Sequence, residues 1–521
     1  MSEQTGVRAP ASAVPNLRTP WAWLVALTLL GAALRFYRLG SQPFWLDEVY
    51  TRDAARVLPG QGFGGMSAID GTSPVYTALA SLAISIGQDT EWWLRLPAAL
   101  AGTALAPSVF FAVRRLFGRR SLALAATVTT ALSPFAVYYS QEARGYSLVI
   151  LISVWFVTAS HWAVTGAHWT PWRNVLPAVL AVIGLGSHVT FGFIMGSAGL
   201  AVLAAARPWS RMWWWAAGQA LAVLAFLPWL LANGGEAQRS LGLETSSAAT
   251  PLLWLGYALV ALTVGPNFGP SLRELRTDGP SQALAEHPVA SLAIVLLGLL
   301  LIWTWWRTTA RLGRGARSLL ALWIFGPTLA LMLAVLGVGM SFNPRYAAAS
   351  VVPIMVLTAV AVDHAWRSRS RAVPALAALA VLIWGNVNWL AVPEYAKDDL
   401  RSAVPVIQAE LGPDDVLLIA NESTVPPLET YGFTCPARSL LIRDTAGLAP
   451  LATAVRERSS GRTLVLENRQ WEGPDHRQLE SALAALGPET EVWNWSGTRL
   501  SVRPTALAMI TGPDLETGCS R

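Results

Sequence analysis

Apolar residues occur along most of the chain in runs of about 20, separated by short polar segments rich in arginine, glycine and proline. A helix needs about 20 consecutive apolar residues to cross the hydrocarbon core of a bilayer, so this pattern predicts a series of membrane-spanning helices. The candidate spans are 21–37, 92–113, 121–138, 145–163, 174–190, 191–206, 214–231, 288–306, 318–338, 346–365 and 372–391. No small-residue cleavage site follows the first run, and we therefore expect it to remain as the first span.

Arginine is concentrated in alternate loops between these runs. Those loops and the N-terminal segment hold 16 arginines and a single acid, Glu3. By the positive-inside rule they are cytoplasmic, so the first loop and the C-terminus face outward. Two further apolar segments, Pro74–Gly87 and Pro251–Gly265, are short, and counting the first as a span would place the basic sequence RRLFGRR outside. We therefore expect both segments to be interfacial or half-inserted helices.

The composition supports a polytopic α-helical membrane protein with about 11 transmembrane helices. Of the 521 residues, 53% are hydrophobic and 13% are charged, which is about half the charge of an ordinary soluble domain. The net charge of +6 follows from the arginines of the cytoplasmic loops. No nucleic acid is therefore expected as a partner, whereas membrane lipids are.

The pattern changes after Leu390, where amphipathic helices alternate with short buried strands such as Val416–Ala420. This alternation predicts an α/β domain of roughly 125 residues with Rossmann-like topology. A dinucleotide site is not expected, because no G-x-G-x-x-G loop follows the first strand. Two cysteines, Cys435 and Cys519, fall in this domain; they form a disulfide in an oxidising compartment or remain as two buried thiols.

The predicted organisation therefore has three parts. They are a cytoplasmic N-terminal tail (1–20), a transmembrane domain (21–392) whose first outer loop covers about 38–91, and a small C-terminal extracytoplasmic α/β domain (393–521).

Charged residues gather at the helix junctions that we predict to face outward. An ionisable side chain at bilayer depth costs about 2.5–3.5 kcal/mol, so such residues commonly mark function or pairing. In chain order, the junctions carry Asp47, Glu48, Arg52, Asp53 and Arg56; Asp70; Glu142 and Arg144; His188; and Arg345 with Tyr346.

Each of these residues also has a purely structural interpretation. Asp47 is suited to cap the helix that the sequence DEVYTRDAARVL favours, and a lone histidine such as His188 is more often a hydrogen-bonded turn residue than a ligand. Arg35 and Arg38, at the end of the first span, are expected to extend to lipid headgroups. This interpretation does not explain why carboxylates, arginines, tyrosine and histidine gather on one membrane face.

A mixed set of acids and arginines has a chemical explanation. Carboxylates can deprotonate a hydroxyl or hold a divalent cation. Arginine can bind a phosphate through two hydrogen bonds and stabilise the negative charge of a leaving group. The set therefore fits group transfer from a phosphate leaving group at the membrane surface.

Five blocks of sequence carry a resemblance to a known family: RLGSQPFWLDE, DGTSPVYTALASLAISIGQDTEWWLRLPAALAGTALAPSVFFAVRRLFG, ALSPFAVYYSQEARGYSL and, more loosely, FNPRYAAASVVPIMVLTAVAV and EYAKDDLRSAVPVIQAELGPDDVLLIA. They resemble the GT-C membrane glycosyltransferases, especially the bacterial branch related to protein O-mannosyltransferases and aminoarabinose transferases. The similarity covers about residues 20–165 and, more loosely, 340–430. It implies an enzyme of the bacterial cytoplasmic (inner) membrane that moves a sugar from a polyprenyl-phosphate carrier to an acceptor hydroxyl on the outer face.

The resemblance also implies roles for individual residues. Asp47 becomes the general base of an inverting transfer, and Glu142 the second acidic residue, which in relatives binds metal or acceptor; in a metal-dependent reaction both would hold Mg²⁺ or Mn²⁺. The expected substrate and donor-phosphate contacts are Glu48, Asp70, Arg144, Tyr146, His188, Arg345 and Tyr346. Relatives often have HPPLY where this chain has TSPVY (Thr72–Tyr76), so the usual histidine is absent and Asp70 is its candidate substitute.

Neither the donor sugar nor the acceptor follows from the sequence: mannose, arabinofuranose, galactose and glucose donors, and lipid, glycan and protein acceptors, all remain open. A polytopic transporter or flippase for lipids or sugars is the main alternative. Such a protein should place ionisable groups near mid-membrane, whereas the predicted spans are nearly devoid of acids. A scaffold whose α/β domain binds a partner is the third alternative, and it gives the outer-face residues no role.

Overall fold

A computed structural model describes residues 20–70, 73–166, 168–205, 208–240, 251–277, 279–309, 314–340, 342–367, 372–436, 438–442, 451, 455, 461–468, 476–484 and 486–504. Residues 1–19 of the predicted tail, Thr72 and Cys519 lie outside these ranges. Cys435 lies within them and is disulfide-bonded.

The first part of the chain is helical up to Ala391. Its α-helices are α1 (Pro20–Phe36), α2 (Leu46–Ile69), α3 (Pro74–Ile86), α4 (Glu91–Phe117), α5 (Arg120–Ala131), α6 (Pro134–Ser140), α7 (Tyr146–Thr165), α8 (Val175–Ser187), α9 (Phe191–Ala205), α10 (Ser210–Ser240), α11 (Pro251–Val264), α12 (Leu272–Thr277), α13 (Pro280–Glu286), α14 (Pro288–Thr309), α15 (Arg314–Val338), α16 (Val351–Arg367) and α17 (Ala372–Ala391). Short 3₁₀ helices precede α8 (Pro171–Asn174) and α16 (Pro344–Ser350).

Every predicted span is helical. Within the described residues, seven helices are long and apolar enough to cross a membrane, namely α4, α7, α10, α14, α15, α17 and α16 with its preceding 3₁₀ helix. Helices α5 and α6, bent by 55° at the break between them, are long and apolar enough to cross a membrane only when they are taken together as one span. The remaining predicted spans are the shorter helices α1, α8 and α9. The predicted fold class, a polytopic helical membrane protein with a small C-terminal α/β domain, is confirmed.

The break between α5 and α6 leaves a backbone carbonyl that accepts a hydrogen bond from a buried arginine, Arg35. Pro134 begins α6 and cannot continue the helix that ends at Ala131. Arg35 is fully buried, and its Nη1 donates to the Ala131 carbonyl at 3.2 Å and to the Gly31 carbonyl at 2.9 Å. The expectation that Arg35 extends to headgroups is therefore wrong, because the broken span leaves carbonyls that need a buried donor. Arg38 is exposed and donates to the Leu390 carbonyl.

The C-terminal part is a five-stranded sheet with helices on both faces. Its elements are 3₁₀ helix Pro393–Tyr395, α18 (Leu400–Glu410), β1 (Val416–Ile419), 3₁₀ helix Glu422–Thr424, α19 (Val425–Thr430), β2 (Leu440–Leu441), β3 (Arg462–Asn468), α20 (His476–Ala484), β4 (Glu491–Trp495) and β5 (Thr498–Pro504). The strand order is β2-β1-β3-β5-β4. Strands β1, β2 and β3 are parallel, whereas β5 is antiparallel to both β3 and β4. The Rossmann-like prediction thus holds for the parallel half only.

The alternating burial of strand residues explains the two covered faces of the sheet. Leu417 and Ile419 pack with α18, and Val416 and Leu418 pack with α20 on the opposite face. Successive strand side chains point to opposite faces, so a strand that is apolar throughout needs a helix on each side.

Candidate active site

The predicted site residues lie where four non-adjacent segments meet at one end of the helical part. These segments are the start of α2, the turn 141–145 between α6 and α7, the turn 188–190 between α8 and α9, and the 3₁₀ helix before α16. Gly145 allows two of them to touch, because a Cβ at this position would lie 1.9 Å from the Ser187 carbonyl oxygen. We call this end of the molecule the site face.

Asp47 lies in the first turn of α2, where the partial positive charge of the helix N-terminus stabilises a carboxylate. Its Oδ2 is 2.8 Å from Nη2 of Arg345. The Arg345 guanidinium lies 5.2–5.5 Å from the ring centres of Trp45, Tyr146 and Tyr346, within the range of cation–π attraction. Arg345 Nε is buried and has no hydrogen-bond partner among the described residues. Asp47 is 21% exposed, so this carboxylate and its arginine partner form the accessible part of the cluster.

Arg144 forms a second ion pair, with Asp70 at the end of α2. The same nitrogen, Nη1, donates to Thr51 Oγ1 at 3.1 Å and to the Asp47 carbonyl oxygen at 3.4 Å. Nearby acids raise the pKa of Arg144, although burial opposes this effect. Arg144 therefore joins the first turn of α2 to Asp70, which directly follows the helix, and lies directly beside Asp47.

Glu48 has different surroundings from Asp47, although the two are adjacent. Its side chain is fully buried, and Arg95 binds it through two hydrogen bonds of 2.8 and 2.7 Å. The Ala143 N–H donates to Oε1 at 2.7 Å, and Lys397 Nζ lies 2.8 Å from Oε2. Burial alone would raise the pKa of Glu48, but the charges of Arg95 and Lys397 hold it at about 2. Glu48 is thus a buried, ion-paired carboxylate that connects α2, α4, the 141–145 turn and the C-terminal part.

Glu142 is the least compensated acid of the site. Its side chain is buried, and neither carboxylate oxygen has a hydrogen-bond partner among the described residues. Burial raises its pKa to about 7, in spite of the opposing charges of Lys397 and Arg345. A carboxyl group with this pKa changes its protonation state near neutral pH and has both oxygens available for a ligand or a proton.

His188 and two tyrosines form the aromatic wall of the site. The His188 ring centre is 4.8 Å from that of Tyr146 and 5.8 Å from that of Tyr346. His188 Nδ1 lies 2.9 Å from the Thr190 hydroxyl and accepts from the Thr190 N–H at 3.3 Å. The Tyr146 hydroxyl is buried and, within the described part of the chain, has no hydrogen-bond partner.

The structure thus places all nine predicted site residues at the site face, and it adds two that sequence reasoning missed. Arg95 and Lys397 are both buried against Glu48. Lys397 was discoverable in principle, since it lies in the block EYAKDDL that resembles later parts of the family. Its role depends on a contact across 349 positions, which no local pattern reveals.

The acids predicted as metal ligands are not part of a three-ligand cluster. Among the described residues, the group of three close enough to share a cation is Glu274, His287 and Glu394. Asp47 and Glu142 do not belong to it.

These features define a polytopic helical membrane fold with an acid–arginine site at one end of the bundle. Residues 71–231 match the family model described as dolichyl-phosphate-mannose-protein mannosyltransferase. A comparison with curated proteins finds no match.

Two solved structures show the fold similarity over most of the chain. ArnT from Cupriavidus metallidurans in the apo state superposes with a TM-score of 0.55 at 10% identity, covering 92% of this chain and 98% of ArnT. The oligosaccharyltransferase of Archaeoglobus fulgidus gives a TM-score of 0.53 at 13% identity, covering 86% of this chain and 70% of that enzyme. The matched family and both structures are glycosyltransferases, so the predicted resemblance to GT-C enzymes is confirmed.

Proposed function

We propose that this protein is a glycosyltransferase that uses a polyprenyl-phosphate-linked sugar and acts at the outer face of the bacterial cytoplasmic membrane. The observation that carries the proposal is the Asp47–Arg345 pair, in which a partly exposed carboxylate lies 2.8 Å from an arginine whose Nε is unused by the described residues. A base and a phosphate-binding group therefore stand side by side at a helix N-terminus.

The proposed reaction is a single displacement. Asp47 accepts the proton of the acceptor hydroxyl as the hydroxyl oxygen forms a bond to the anomeric carbon of the sugar. The bond between that carbon and the phosphate oxygen breaks, and its electron pair leaves with the polyprenyl phosphate. Arg345 and Arg144 stabilise the negative charge that develops on the phosphate, and Tyr146, His188 and Tyr346 line the pocket. One displacement at the anomeric carbon inverts its configuration.

Structures with bound ligands support a lipid-phosphate donor. ArnT bound to undecaprenyl phosphate matches this chain with a TM-score of 0.52 at 12% identity, covering 95% of this chain and 100% of ArnT. The Archaeoglobus fulgidus enzyme AglB has been solved with a dolichol-phosphate and an inhibitory peptide, and it matches with a TM-score of 0.53. We therefore propose that this chain also uses a lipid-phosphate carrier. The acceptor is the hydroxyl group of a lipid, a glycan or a protein.

A divalent cation is compatible with the site. Mg²⁺ is commonly held by one or two carboxylates together with a substrate phosphate, and Glu142, whose carboxylate oxygens have no hydrogen-bond partner among the described residues, suits that arrangement. Asp47 and Glu142 would hold such a cation, which would supply further neutralisation of the phosphate. The steps above depend on the protein side chains alone.

The predicted topology completes the proposal. The site face is the outer side, the arginine-rich loops are cytoplasmic, and the α/β domain from residue 393 onward is extracytoplasmic. The transporter alternative is not favoured, because the described ion pairs Asp47–Arg345 and Arg119–Asp363 lie at helix ends rather than at mid-membrane.

The test is an assay of the purified protein with a panel of polyprenyl-phosphate sugars, with and without a chelator. We expect free polyprenyl phosphate to be released, and this release should require both an acceptor and one particular donor sugar. Transport of an intact lipid-linked sugar between leaflets of vesicles, without release of phosphate, would instead support the transporter.

A further inference from the structure

Lys397 lies in the segment between α17 and α18, which leads from the helical part into the α/β part. Lysines at such positions are normally solvated, yet the Lys397 side chain is only 4% exposed. Its backbone N–H donates to Gln42 Oε1 at 2.8 Å, and its Nζ is 2.8 Å from Glu48 Oε2. Both the backbone and the side chain of Lys397 are therefore bound to the first outer loop.

Glu48 connects Lys397 to the turn that carries Glu142. A buried ammonium group is costly unless it is paired, and Glu48 already forms a two-hydrogen-bond pair with Arg95. Glu142 directly precedes Ala143, whose N–H binds the other oxygen of Glu48. The Glu48 carboxylate thus bridges Lys397 and the Glu142 turn.

Other contacts seat the α/β part on the same loop without reaching the acids of the site. The Tyr431 hydroxyl accepts from the Phe44 N–H at 2.6 Å and donates to Glu91 at 3.0 Å. Arg401, in the first turn of α18, donates to Glu91 at 3.0 Å. Arg401 offers a matched comparison for Lys397, since it anchors the same domain to the same region but contacts neither Glu48 nor Glu142.

We propose that Lys397 is a positioning residue of the transfer site, through which docking of the α/β domain sets the placement of the first outer loop and of the Glu142 turn. The proposal rests on the proposed transferase function. It means that the site is complete only while the linker between the two parts is seated. Charged and titratable groups that face Glu142 come from every element around it: Asp47 and Glu48 of α2, Tyr76 of α3, Tyr138 and Tyr139 of α6, Arg345 before α16, and Lys397 itself.

The test compares Lys397→Met, Lys397→Arg and Arg401→Met in the full-length protein, with undecaprenyl-phosphate sugar as donor. Lys397→Met keeps the length and the apolar part of the side chain but removes the charge. We expect kcat to fall about 100-fold, as it does when a catalytic group is misplaced, and KM to change much less. Lys397→Arg, which restores the charge, should recover part of kcat.

Arg401→Met should keep the wild-type kcat, even if it lowers thermal stability. The proposal is overturned if Lys397→Met has the wild-type kcat, or if Arg401→Met lowers kcat by the same factor at an equal loss of stability. Should the wild-type protein release no carrier phosphate from any donor, the proposed function fails. Hydrogen–deuterium exchange then decides the positioning role separately: faster exchange of residues 39–48 and 141–146 in Lys397→Met supports it, and unchanged exchange refutes it.

Discussion

At the scale of single residues, Asp47 and Glu48 differ because of what their side chains contact. Glu48 is enclosed by Arg95, Lys397 and the Ala143 N–H, and it has no exposed surface. Asp47 shares its carboxylate with Arg345 and remains partly exposed. A substrate hydroxyl can reach only the second kind of carboxylate. The geometry therefore favours Asp47 as the base and Glu48 as the residue that fixes the loop carrying it.

Replacing Asp47 by asparagine should remove most of the activity. Asn keeps the shape of the side chain but cannot accept the acceptor proton, and a general base typically contributes about 10²–10⁴-fold. The measurement is the rate of polyprenyl-phosphate release by protein that is confirmed to be inserted and folded. Asp53→Asn, on the same helix and 3.7 Å from Arg52, is the control and should retain activity. Full activity of Asp47→Asn would remove Asp47 from the role of base.

Glu142 should link stability to pH. Its pKa is about 7 in the folded protein against an ordinary value of 4.5, so the folded state binds the proton more tightly than the unfolded state. The stability that this proton confers is present below about pH 4.5 and is lost as the pH rises through 7, at a cost of about 3 kcal/mol for a shift of this size. Glu142→Gln cannot ionise and escapes this loss.

The measurement is thermal unfolding of wild type and Glu142→Gln in detergent at pH 5 and pH 8. We expect the stability of the variant relative to wild type to increase from pH 5 to pH 8. A difference that stays constant with pH would show that Glu142 has no raised pKa.

At the scale of elements, the site depends on how tightly the 141–145 turn packs between helices. Gln141 Nε2 donates to the carbonyls of Leu34, Arg35 and Tyr37 at the end of α1, and Gly145 touches the end of α8. The turn that carries Glu142 and Arg144 is therefore fixed from two sides.

Gly145→Ala should displace this turn. The new Cβ would lie 1.9 Å from a backbone oxygen of Ser187, which a side-chain rotation cannot relieve, and a shift of about 1 Å at a catalytic site can cost about 100-fold in rate. Gly196→Ala in α9 is the control, since no atom lies within 4 Å of its added Cβ. Equal activities of the two variants would contradict a tightly fixed turn.

The sequence predicted the elements better than their interruptions and contacts. Length and hydropathy were sufficient for the seven long apolar helices, whereas α1, α8 and α9, also predicted as spans, are shorter helices. Helix–strand alternation was sufficient for the α/β domain. The chain bends by 55° between α5 and α6, and this break leaves backbone carbonyls without a partner in the helix. Arg35 points inward because it donates to one of these carbonyls, that of Ala131, so its position does not follow from the local sequence. The antiparallel half of the sheet was missed, although Leu500 and Val502 of β5 alternate with polar residues, a pattern typical of an antiparallel strand, whereas β1 is apolar throughout.

The site itself was predictable only in part. Asp47, Glu142, Arg144 and Arg345 stand in recognisable blocks at junctions of the same predicted side. Arg95 and Lys397 determine which acid is buried and which is accessible. Both contact Glu48 from distant parts of the chain, since Arg95 is separated from it by 47 positions and Lys397 by 349.

At the scale of the whole molecule, the proposed function depends on the orientation of the protein in the membrane. The arginine-rich loops predict that the site face and the α/β domain are outside the cell. Alkaline phosphatase, which is active only after export, should therefore be active when fused after Arg521 and inactive when fused after Gly313. The opposite pair of results would place the site on the cytoplasmic side and contradict the proposed function.

The most direct test of the central claim is an experimental structure of the protein with undecaprenyl phosphate. We predict that the phosphate binds at the site face within hydrogen-bond distance of Arg345, with Arg144 beside it and the Asp47 carboxylate facing the position of the sugar. A phosphate bound elsewhere, with Arg345 still paired to Asp47 and shielded from the lipid, would contradict the account.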